Sequence, residues 1–149
     1  MRLLVLTVLG GLLAWPAMAQ EVTTPAPQPE TVAPEVSGLS LQDVISRQLG
    51  AFVARDVDLA WTYASPMIQG LFGNPRNFGE MVAQGYPMVW DNSDARFVGT
   101  REAAGRVYQQ VMVQDATGVL HMLEYAMIET AEGWKIDGVS ILPRPDVGA

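Results

Sequence analysis

The apolar residues of this chain change their period after Tyr86, and that switch constrains the fold more than any other feature. Before it, Leu41, Val44, Ile45, Leu49, Phe52 and Val53 recur at helical spacing. Ser40 and Asp43 stand at capping-box spacing ahead of this run, where a side chain can satisfy an amide left open by the first turn. Asp56 can cap a second helix, with Leu59, Ala60, Tyr63 and Ala64 on one stripe. Ser65-Pro66 and Asn74-Pro75 each restart the chain, because proline suits the first helical turn. Gly73 and Gly85 stand where helices three and four should end.

Past Tyr86, Pro87 to Trp90 reads as a short edge strand. Four longer strands follow over 95–101, 106–114, 119–129 and 134–142. The gaps between them are short and carry turn residues. Short gaps join antiparallel neighbours, whereas parallel strands need long crossovers. Helices followed by a meander predict an α+β domain, with N-terminal helices packed on a curved antiparallel sheet.

The start of the chain reads differently. Arg2 precedes an apolar run over 3–14, Pro16 breaks any helix, and Ala17-Met18-Ala19 presents small residues where a signal peptidase reads. Twelve residues at helical rise cover about 18 Å, short of the roughly 30 Å of membrane hydrocarbon. The run therefore reads as an export signal cleaved after Ala19, with a periplasmic or secreted product and no stable membrane span. Residues 20–38 carry Pro25, Pro27, Pro29 and Pro34 among polar residues. Such a segment buries too little apolar surface to offset chain entropy, and it reads as a semi-extended tether. The folded domain is expected over 39–149.

With no cysteine in 149 residues, disulfides, thiolate catalysis and cysteine metal sites drop out. Sixteen acidic residues against nine basic ones give a net charge of −7. A surface of that sign repels phosphate backbones and anionic headgroups, which argues against nucleic acid as a partner. The glycines are dispersed as caps and turns, and none forms a phosphate-binding loop. No nucleophile-elbow motif surrounds any serine, and capping explains Ser65. His121 is the only histidine. Met112, Met122 and His121 could meet across a hairpin as soft copper(I) ligands, but strand methionines are usually packing. No metal or cofactor is expected.

One polar pair draws attention. If Asp115-Ala116-Thr117-Gly118 is a two-residue hairpin loop, Gln109 falls opposite Glu124, Val111 opposite Met122, and Val113 opposite Leu120. Glu124 would then sit in an apolar face with a raised pKa, as a general acid or base requires. The opposite face would hold Tyr108, Gln110, Met112, His121, Leu123, Tyr125 and Met127. That mixture suits pairing of two subunits through the outer sheet.

Ala64-Ser65-Pro66-Met67-Ile68-Gln69, Phe72-Gly73, Phe78, Met81-Val82, Gly85-Tyr86 and Gly133-Trp134-Lys135-Ile136-Asp137-Gly138-Val139 occur in that order. This pattern resembles the exported bacterial family called domain of unknown function 4864, from about Leu41 to Leu142. The resemblance implies a cone-shaped α+β fold like nuclear transport factor two and ketosteroid isomerase. It implies no activity. The terminal Gly-Trp-Lys-Ile run is also loosely similar to periplasmic phospholipid carriers of the same broad fold.

The aromatics of the helical half, Trp61, Tyr63, Phe72, Phe78, Tyr86 and Trp90, are mostly core material, with room for a pocket between helices and sheet. The favoured reading is a non-catalytic exported module that binds a small apolar ligand or a protein partner. Trp61, Tyr86 and Trp90 would supply apolar area, and Gln109 and Glu124 would orient the ligand. Two alternatives stand beside it: an acid/base isomerase or dehydratase using a pocket carboxylate, and a structural subunit of an envelope complex.

Overall fold

A computed structural model describes residues 38–143. The expected leader over 1–19, nearly all of the expected tether over 20–38, and residues 144–149 lie outside these.

Local capping chemistry builds the helical half. α1 (Leu41–Val53) opens on a reciprocal capping box: the Ser40 side chain accepts from the Asp43 amide, and the Asp43 carboxylate accepts from the Ser40 amide. Asp56, Ser65 and Asn74 cap α2 (Val57–Thr62), α3 (Pro66–Phe72) and α4 (Pro75–Gly85) through their own side chains. Each such cap contributes about 1 kcal/mol. Gly73 ends α3, as its position predicts.

Two expectations are corrected here. Gly85 stays inside α4, and Tyr86 is the residue that ends it. Residues 87–90 form one helical turn, α5 (Pro87–Trp90), and not an edge strand. The Tyr86 carbonyl accepts from the Val89 and Trp90 amides. Asn92 closes the turn from the other end, donating from Nδ2 to the Val89 carbonyl at 2.7 Å. Pro87 is pre-set for a first turn, and this outweighs the strand preference of Val89 and Trp90.

The second half is an open antiparallel sheet in the order β1 (Asn92–Ala103), β2 (Arg106–Asp115), β3 (Leu120–Thr130) and β4 (Gly133–Ile141). The domain is α+β, helices first and sheet after.

The β2–β3 turn overturns the expected register. It is a three-residue loop: the Asp115 amide donates to the Val119 carbonyl at 2.9 Å, and Gly118 has φ +86°. The Asp115 carboxylate accepts from the Thr117 and Val119 amides and locks the loop. Gln109 therefore stands opposite Tyr125, Gln110 opposite Glu124, Val111 opposite Leu123, and Val113 opposite His121. Against a two-residue loop this is a slip of one residue, which carries every β3 side chain to the other face. Leu123, Tyr125 and Met127 join Val111 and Val113 in the core under Val44, Ile45, Leu49 and Phe52 of α1.

One irregularity in β4 positions the helices. Ala126 pairs with Gly138 but Met127 with Ile136, so Asp137 is the extra residue of a bulge. Beside it, the Ser65 amide donates to the Ile136 carbonyl, and the Ile136 amide donates to the Tyr63 carbonyl, each at 2.8 Å. The buried Asp137 carboxylate accepts from the Ser65 hydroxyl at 2.7 Å and pairs with Arg106 at 2.9 Å. The α2–α3 link is thus fastened along the free edge of β4, and α3 packs against the same strand.

Candidate functional site

Between helices and sheet lies a cavity of about 260 Å³. Tyr125, Ile136 and Val139 form its sheet wall. Phe52 of α1, Ile68 and Phe72 of α3, and Phe78, Met81 and Val82 of α4 form the helical wall. Leu71 borders the space and is 69% exposed, which marks the side open to solvent. The aromatic walls brace each other: Phe78 lies 5.8 Å from Phe52 and 6.0 Å from Phe72, ring centre to ring centre.

Three polar side chains line this apolar space. Gln48 is buried, and its Nε2 donates to the Ala60 carbonyl at 3.1 Å. Tyr86 donates its hydroxyl to the Val139 carbonyl at 3.0 Å. Tyr125 is fully buried, and its hydroxyl has no hydrogen-bond partner among the described residues. Burial, reinforced by the nearby Tyr86, pushes the Tyr125 phenol well above the ordinary tyrosine range. Tyr125 therefore stays protonated and holds an uncommitted O–H.

The residues singled out by sequence are dispersed. Tyr86 is on the cavity wall. Trp61 packs edge-on against Phe78, with ring centres 5.6 Å apart, outside the cavity lining. Trp90 stacks near Phe52 at 6.0 Å and carries the Arg55 guanidinium 4.4 Å over its ring. Gln109 is buried with its amide fully engaged. It donates to the Gly99 and Gln110 carbonyls and accepts from Gln42, which ties the start of α1 to the sheet.

Glu124 departs furthest from expectation. Alternation along β3 puts it on the outer face, away from Tyr125. Arg101 grips its carboxylate at 2.6 and 3.2 Å, and Gln110 adds a longer contact at 3.5 Å. The Arg101 hydrogen bond holds the Glu124 carboxyl below its usual range, opposite to the raised value expected of a buried base. Arg101 also lies 4.0 Å over the Tyr108 ring. The outer face is thus Tyr108, Gln110, Met112, Met122, Glu124, Ala126 and Ile128, and His121, Leu123, Tyr125 and Met127 leave it. Met112 stands opposite Met122, but His121 belongs to the other face and bonds Asp115 at 2.8 Å. Among the described residues, no three His, Asp or Glu side chains gather as a metal site.

Sequence reasoning missed Tyr125 and Gln48. The signal for Tyr125 was present in Gly118, since glycine at the third loop position favours a three-residue turn and hence the register that turns Tyr125 inward. Gln48 follows Ile45 at helical spacing and shares the buried stripe of α1.

An α+β domain with an apolar cavity at the helix–sheet junction is the class that fold and site define. Residues 35–149 match the family described as domain of unknown function (DUF4864), and the chain belongs to that family. Comparison with curated proteins and with solved structures gave no match.

Proposed function

We propose that this is an exported, non-catalytic binding module that holds a small, largely apolar molecule between helices and sheet. The observation that carries the reading is the apolar cavity of about 260 Å³ at the helix–sheet junction, walled by aromatic and aliphatic side chains. The space is ample, since a cavity of roughly 150 Å³ suffices for benzene. The leader read in residues 1–19 supports an exported setting. The cone-shaped architecture implied by the family resemblance also supports the reading, because it leaves room at this junction.

The acid/base enzyme reading is weaker. Its carboxylate, Glu124, is on the outer face and bound to Arg101. Among the described residues, the cavity lining holds no carboxylate or imidazole to accept a proton. A purely structural subunit would gain nothing from an open apolar cavity.

The test is titration with the neutral dye N-phenyl-1-naphthylamine. Saturable one-to-one fluorescence enhancement, abolished in an Ile68→Trp variant that fills the helical wall, is expected. No saturable signal from the folded wild-type chain would contradict the reading.

A further inference from the structure

The polar atoms that reach the cavity narrow its ligand, and this inference rests on the binding reading above. We propose that the occupant is an uncharged amphiphile whose hydroxyl group donates its hydrogen to the Gln48 carbonyl oxygen.

The Gln48 Nε2 donates to the Ala60 carbonyl at 3.1 Å. Only the nitrogen end of an amide can meet an acceptor, so this bond fixes which end is Oε1. Among the described residues, the Tyr125 hydroxyl is the one side-chain polar atom that is both unpartnered and sealed from solvent. The Gln48 oxygen, to which no described residue donates, therefore keeps accessible surface. Gln48 is only 3% exposed, belongs to the buried stripe of α1 and meets open space at this cavity, so the oxygen is offered there. Tyr86 gives its own hydrogen to the Val139 carbonyl, so toward a ligand its oxygen can only accept.

Both oxygens call for a hydrogen. An alkyl or ether group covering the Gln48 oxygen would strip it of water and return no bond. The wall contains no Asp, Glu, Lys, Arg or His. A carboxylate has no hydrogen to give, and its charge would lie in an apolar space. An ammonium has three hydrogens but would find no anion beside it. A hydroxyl donates one hydrogen to Oε1, and its own oxygen can accept the second Nε2 hydrogen of the same amide. The volume suits one or two fused rings, or a chain of similar bulk.

The test is displacement of bound N-phenyl-1-naphthylamine from the full chain at pH 7. Three probes of equal size, 2-naphthylmethanol, 2-methoxynaphthalene and 2-ethylnaphthalene, are compared with 2-naphthoate. Scaled by water–octanol partition, the alcohol should bind about tenfold tighter than the ether and the alkyl probe. Naphthoate should displace the dye at least about tenfold more weakly than the alcohol. Gln48→Met, of nearly the same shape, should cost the alcohol about tenfold and leave the alkyl probe unchanged. The wild-type ranking stands whether or not the variant folds well. The ether or alkyl probe matching the alcohol on that scale, or naphthoate matching it outright, would overturn the proposal while leaving the cavity a binding site. Equal losses for alcohol and alkyl probe in Gln48→Met would also overturn it, as would a bound dye that no probe displaces. A dye that does not bind would remove the binding reading itself and this proposal with it.

Discussion

The Tyr86 hydroxyl donates to the Val139 carbonyl at 3.0 Å, and Val139 is the residue directly opposite Tyr125 in the β3–β4 ladder. Two tyrosines thus meet one cavity wall, one satisfied and one not.

Tyr125→Phe should stabilise the ligand-free protein. Removing an unpartnered buried hydroxyl gains about 1 kcal/mol or more. For a domain of this size that is a rise in Tm of roughly 4–8 °C. Thermal unfolding of both forms after denaturing purification and refolding checks it. A fall of similar size would mean that the hydroxyl has a partner in the free protein. Tyr86→Phe should behave in the opposite way and lower Tm.

The acid limb of stability should depend on Glu124. Arg101 holds its carboxyl below the ordinary value of 4.5. A depressed carboxyl stabilises the fold above its unfolded pKa, and the contribution is lost as pH falls through the folded pKa. Glu124→Gln should therefore be less stable than wild type at pH 7 and nearly equal to it at pH 2. Urea unfolding at the two pH values reads this directly. A gap of the same size at both would show that the charge contributes nothing.

How much was legible in the sequence follows from how local each signal is. Ser40, Asp56, Ser65 and Asn74 were readable as caps because capping is decided within four residues. The strands were readable from alternation, and their boundaries fall within a few residues of those expected. Residues 87–90 were misread because four residues show no period, and Asn92 closes their turn from outside the segment. The register was lost on one loop. Asp115-Ala116-Thr117-Gly118 fits a two-residue turn by composition, but the Asp115 carboxylate binds two loop amides and adds a residue. That residue moved Glu124 out and Tyr125 in, so the site was misplaced although the fold was right.

Gly118→Ala should accordingly cost about 1–2 kcal/mol, because φ +86° is strained for any residue with a Cβ. Chemical denaturation measures the loss. A variant as stable as wild type would place the weight of the turn elsewhere.

Asp137→Ala should destabilise the domain by about 2–3 kcal/mol, since it strips the buried Ser65 hydroxyl of its acceptor and leaves Arg106 unpaired. Asp137→Asn keeps an acceptor for Ser65 and should recover part of the loss. Urea midpoints of the three proteins decide it, and equal losses for Ala and Asn would assign the whole effect to the Arg106 pair.

The central claim, that the cavity carries a ligand, is tested most directly by mass. The full chain is expressed, purified without detergent, and measured by native and then denaturing mass spectrometry. The account predicts an added mass of a small neutral molecule, lost on denaturation and missing from Ile68→Trp. The bare polypeptide mass in both spectra, together with no saturable binding of neutral probes, would contradict it.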